Sequence, residues 1–99
     1  PYDALATRAV RLKDVNWLGS QSLAEIEQNG PIEIEAKVRS TRPPQPARLS
    51  VVDGVVEVDL LGGEHGVSPG QACVFYADDS VNTQVLGGGW IAEAEAEAT

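Results

Sequence analysis

No lysine or arginine follows Arg48, a single cysteine is present, the aromatics number five, and no apolar run reaches the roughly 20 residues needed to cross a bilayer. Each shortage excludes something. A lone thiol at Cys73 forms no internal disulfide, and between Ala72 and Val74 it reads as a small buried hydrophobe. With few aromatics, the core falls to Val, Ala, Leu and Ile, the residues of packed strands. Residues 49–99 hold nine acids and no base, and the net charge is −8, which excludes a broad basic face that grips nucleic acid by bulk electrostatics. All seven bases fall in residues 1–48, where six acids leave a surplus of one positive charge, so a small basic contact remains compatible with the composition. With neither a signal-peptide pattern nor a spanning segment, the sequence predicts a cytoplasmic setting and no membrane partner.

Ninety-nine residues are the length of one domain with one core. Residues 7–13 alternate with the period of a strand, Val10 and Leu12 pointing inward and Thr7, Ala9, Arg11 and Lys13 outward. The apolar stretch from Val15 to Leu18 continues it as far as Gly19, and Trp17 reads as a packed aromatic. Ser22 and Glu25 have the spacing of a reciprocal capping box, so a short helix is expected over 20–29, stopped by Gly30-Pro31. From Pro31 to Arg39, Ile32, Ile34, Ala36 and Val38 alternate with Glu33, Glu35, Lys37 and Arg39, the clearest strand of the chain. Pro43-Pro44-Gln45-Pro46 predicts a stiff connection outside any ladder.

Asp53-Gly54 between 47–52 and 55–61 predicts a tight hairpin. Gly62 to Gly66 reads as a glycine-rich loop, Ser68-Pro69-Gly70 as a type II turn, and Gln71–Tyr76 and Gln84–Ala92 as the last strands. The domain is expected over residues 1–92, with a flexible acidic tail over 93–99. Short strands separated by Gly and Pro turns, with one helix, predict an all-β fold, a small closed barrel in preference to a sandwich.

Nothing in the pattern is set up for chemistry. His65 has no Cys or second His nearby, and Asp78-Asp79 lacks further oxygen ligands, so no metal site is expected. Gly87-Gly88-Gly89 precedes Trp90 and Ile91 rather than the Lys and Ser or Thr of a phosphate loop; it reads as a bend at a barrel corner or a close passage of backbones. No acid–base pair or activated nucleophile stands out, so the chain by itself is predicted to be non-catalytic and without a cofactor.

Five blocks in order, Asp14–Gly19, Ala36–Arg39, Asp53–Val58, Pro69–Tyr76 and Val85–Ile91, resemble the C-terminal domain of the tRNA-specific 2-thiouridylase family from about Ala4 to Ile91. The resemblance implies a six-stranded antiparallel barrel similar to the second domain of elongation factor Tu. It also implies a parent enzyme, a tRNA-uridine 2-sulfurtransferase, that uses ATP to thiolate the wobble uridine of tRNA. ATP and the working cysteines would belong to the N-terminal and central domains of the same chain, which would be partners of this module, as would a sulfur-donor protein. The family's tRNA contact, an Arg-Tyr pair, matches Arg39 and Ser40; Lys37 and Arg42 are the neighbouring candidates. Arg39 fits the pattern and can hold a phosphate with two hydrogen bonds, whereas Ser40 replaces an aromatic by a hydroxyl. The alternative is a structural or protein-interaction barrel that braces the catalytic domains without touching RNA, favoured by the acidic balance.

Overall fold

The computed structural model describes residues 6–38, 41–77 and 84–96. Seven elements follow in order: β1 (Thr7–Trp17), α1 (Leu23–Asn29), β2 (Ile32–Lys37), β3 (Gln45–Val52), β4 (Val55–Glu64), β5 (Ala72–Ala77) and β6 (Val85–Ala96). The strands close into an antiparallel barrel in the order β1-β4-β3-β2-β5-β6, with β6 returning to β1. The all-β, six-stranded barrel read from the sequence is the observed fold.

Local chemistry places several elements directly. The Ser22 hydroxyl accepts from the Glu25 amide at 3.1 Å while the Glu25 carboxylate accepts from the Ser22 amide at 2.8 Å, and the helix stops at Gly30, whose φ of 104° favours glycine. Asp53 and Gly54, with φ of 52° and 78°, form the two-residue turn between Val52 and Val55. The carboxylate of Glu27 on α1 accepts from both turn amides, Asp53 N at 3.1 Å and Gly54 N at 3.3 Å, tying the helix to the hairpin. The turn at Ser68-Pro69-Gly70 closes through the Gln71 amide on the Ser68 carbonyl at 3.4 Å.

The barrel is filled by the inward side chains of every strand plus Ile26 of the helix; Phe75, Ile34, Leu49, Val58 and Ile91 are among its fully buried members. Trp17 packs partly buried against Phe75, ring centroids 6.2 Å apart, and its indole N–H donates to the Gln21 carbonyl at 2.6 Å. That bond satisfies the polar end of a ring whose body is in the core.

Four expectations need correction. Thr7 is buried and Arg8 is exposed, because a register shift between Thr7 and Ala9 inverts the alternation at the start of β1; Ala9, opposite Asp59 and Glu95, keeps the outer side but is covered there. Pro46 lies inside β3 opposite Glu35. Its missing N–H goes unneeded: amides of the even-numbered β3 residues face β4, and the β3–β4 ladder ends at Ala47↔Leu60. β4 continues through Gly62 and Gly63 to Glu64 instead of ending in a loop at Leu61. The tail expected from residue 93 is strand as far as Ala96, since Ala94 packs partly buried against the core and Glu93 and Glu95 reach Arg11 on β1.

Candidate nucleic-acid interface

β2 and β5 lie side by side, with Lys37 opposite Val74 and Glu35 opposite Tyr76. Because Cys73 and Phe75 are fully buried, the alternation of β5 turns Ala72, Val74 and Tyr76 outward, onto the same face as Lys37. Between the end of β2 and this row runs a cleft of about 630 Å³, bordered by Lys37, Val38, Thr41, Gly66, Gln71 and the β5 row. The Gln71 side-chain Nε2 donates to the Gly66 carbonyl at 3.0 Å and fixes the far rim.

Arg39 and Ser40, the residues singled out in the sequence, lie outside the described residues. Their described neighbours, Lys37 and Thr41, both border the cleft. Arg42 is placed differently: its Nη1 is 3.0 Å from Oε1 of Glu64, which is buried at the end of β4. No well-aligned hydrogen bond reaches that oxygen among the described residues, so charge carries the contact.

Two further cations, Arg11 and Arg48, are engaged by acids. Arg11 is surrounded by Glu93 at 2.9 Å, Glu57 at 3.5 Å and Glu95 at 4.0 Å; the hydrogen bond to Glu93 and then the charge of Glu57 hold its guanidinium above the ordinary value. Arg48 pairs with Glu33 at 2.9 Å. Among the described residues, no carboxylate pairs with Lys37, and it is the cation that borders the cleft. Arg8 and Lys13 stand on the outer face of β1.

The groups that invited a chemical reading resolve into scaffold. Burial leaves the Cys73 thiol fully enclosed and pushes its pKa up to about 12, far from the thiolate a sulfur relay requires. Neighbouring strands pass close to the glycine run of β6: a Cβ on Gly88 would meet the Cys73 carbonyl, one on Gly87 the Asn16 carbonyl, and one on Gly89 the Val15 side chain. The groove over these glycines is bordered by Asp14 and has no base in its lining to hold a phosphate, and the close-passage reading of these glycines is the observed one. His65 is exposed, and Asp78 and Asp79 lie outside the described residues. Among the described residues no group of three or more His, Cys, Asp or Glu could hold a metal ion, and no helix is long and apolar enough to cross a membrane.

Glu64, Thr41 and the outward β5 row were not singled out in the sequence. The β5 row was detectable from alternation once Cys73 was taken as buried. Glu64 carried no such signal, because its counter-charge, Arg42, comes from a distant connection.

Comparison with known proteins places this barrel. Residues 7–91 match the family described as the aminomethyltransferase beta-barrel domain. The tRNA-specific 2-thiouridylases MnmA of Brucella ovis, Brucella canis and Brucella suis are each 53% identical over 97 residues, covering 98% of this chain and 24% of theirs. The chain thus spans about a quarter of the length of these relatives. It belongs to the aminomethyltransferase beta-barrel domain family, in the form that makes up the C-terminal part of the tRNA-specific 2-thiouridylases.

Proposed function

We propose that this barrel helps to hold tRNA in a tRNA-uridine 2-sulfurtransferase and performs no chemical step itself. The observation that carries the reading is 53% identity along nearly the whole chain to part of enzymes whose name states the substrate and the reaction. In this reading ATP and the sulfur relay belong to the remainder of a longer cytoplasmic protein, and a sulfur-donor protein serves that remainder. The barrel contributes a local cationic contact at the end of β2, where Lys37 is unpaired among the described residues and Arg39 and Ser40 follow in sequence. An ammonium and a guanidinium two residues apart in sequence can bind two phosphates and leave base identity unread. That suits a domain whose task is to position a substrate for chemistry done elsewhere.

The test is Arg39→Ala in the full-length enzyme. tRNA affinity should fall and the slope of log affinity against log salt should flatten by about 0.7–0.9, the share of one phosphate contact, with ATP binding unchanged. Unaltered tRNA affinity would remove Arg39 from the interface.

A second reading, a brace against the rest of the longer protein, is favoured by the outer face beside the glycine run. There Leu18, Val85 and Trp90 are exposed by 60%, 47% and 49%. Replacing Trp90 by Ser should then loosen the full-length enzyme toward limited proteolysis while sparing tRNA affinity.

A further inference from the structure

The outward row of β5 separates two clefts of opposite character. On the β6 side, a groove of about 350 Å³ is floored by Gly87, Gly88 and Gly89 and bordered by Asp14, with no base in its lining. On the β2 side, the larger cleft is bordered by Lys37 and Thr41, with Val74 and Tyr76 along one wall. We propose that the β2-side cleft seats one unstacked nucleotide of the tRNA, with the base against Tyr76 and Val74 and its phosphate at Lys37. The proposal rests on the tRNA-holding reading above and says which part of the RNA is held, and where.

Four observations fit together. The volume of about 630 Å³ lies within the ~300–1,000 Å³ usual for small-ligand sites. Tyr76, half-buried on the outer face, offers a ring whose orientation is set by the strand, and every base has a face to lay on it. Lys37 sits directly opposite Val74, so its ammonium is within reach of the phosphate of a nucleotide whose base covers that side chain. Glu35, opposite Tyr76, puts a carboxylate at the other end and repels a phosphate there, which fixes the direction of the nucleotide along the cleft. Unpaired bases stacked on aromatic side chains, with backbone phosphates on flanking cations, are the common currency of single-stranded RNA recognition.

The experiment uses the full-length enzyme and unfractionated tRNA. Tyr76→Ala should lower affinity by about 5- to 100-fold with the salt slope unchanged. Tyr76→Phe should keep the affinity, and Lys37→Ala should reduce the slope by about 0.7–0.9. Ultraviolet cross-linking of the unmodified enzyme to tRNA, mapped by mass spectrometry, should place a nucleotide on the peptide that contains Tyr76; this readout decides should Tyr76→Ala fail to fold. Unchanged affinity in a folded Tyr76→Ala protein, or cross-links confined to the Leu18, Val85 and Trp90 face, overturns the cleft. If Arg39→Ala weakens tRNA binding while Tyr76→Ala does not, the cleft falls and the tRNA-holding role stands. If neither variant has an effect and no cross-link maps to the barrel, both fall.

Discussion

Arg42 reaches from the β2–β3 connection to Glu64 at the end of β4, bringing its guanidinium to 3.0 Å from a carboxylate that the barrel has buried. The pair crosses from the segment that follows Arg39 and Ser40 to the sheet itself, so it acts as a strut for that segment. Removing the arginine leaves a buried carboxylate without its counter-charge, a cost on the order of 2 kcal/mol once the half-exposure of Arg42 is allowed for. Arg42→Ala and Glu64→Gln should each lower urea stability, and the double variant should cost less than the sum. As a strut, Arg42 should leave the salt slope of tRNA binding unchanged, unlike Arg39. A flattened slope in Arg42→Ala would make it a phosphate contact after all.

The buried thiol gives the chain a pH-dependent stability with a definite sign. Its folded pKa of about 12 lies above the ordinary 9.0, so the unfolded chain releases the proton first as pH rises. The contribution is complete below about pH 9 and is lost between pH 9 and about 12, at ~1.4 kcal/mol per unit. Urea titrations at pH 8 and pH 10.5 on the parent and on Cys73→Ala should show a steeper decline for the parent. Equal declines would contradict the burial of the thiol. In the same setting, alkylation of native Cys73 should proceed only as fast as the chain opens.

The glycine run should not tolerate a single methyl group. A Cβ on Gly88 would stand 2.7 Å from the Cys73 carbonyl oxygen, and a backbone group cannot swing aside. Gly88→Ala should cost about 2 kcal/mol in urea unfolding. Gly62→Ala, where a Cβ meets nothing within 4 Å, should cost far less and serves as the control.

Glu27 joins the helix to the β3–β4 hairpin through two amides. Glu27→Ala should cost about 1 kcal/mol, reflecting exposed hydrogen bonds to a charged acceptor, and should speed amide exchange at Asp53 and Gly54. Unchanged exchange there would mean that the turn holds itself.

What was legible in the sequence was what neighbours along the chain decide. The capping box needs only Ser22 and Glu25, the hairpin only Asp53 and Gly54, and β2 only its strict alternation. What escaped depended on residues far away. Pro46 enters a ladder because the pairing of β3 with β4 stops one residue short of it, at Ala47↔Leu60, and Thr7 turns inward through a register shift that two neighbouring strands impose. The Ala–Glu alternation after Ile91 looked like a tail because alanine carries little apolar weight; as the wall beside β1 it is a strand whose Ala94 packs against the core. The candidate interface was half legible: alternation put Lys37 on the outer face, but its cleft depends on β5, 35 or more residues later, and the engagement of Arg42 depends on Glu64.

Thr7 lies opposite Ala96 in the seam between β1 and β6. The polypeptide therefore enters and leaves the barrel at one place, like a loop of thread drawn through a single buttonhole. A short linker could join those two points and the chain could be cut instead at Asp53-Gly54, giving a permuted barrel with every strand pairing but one turn intact. The same seam means that the last strand seals the wall opened by the first, so a chain cut short before β6 would present two raw sheet edges to its neighbours and gather into aggregates.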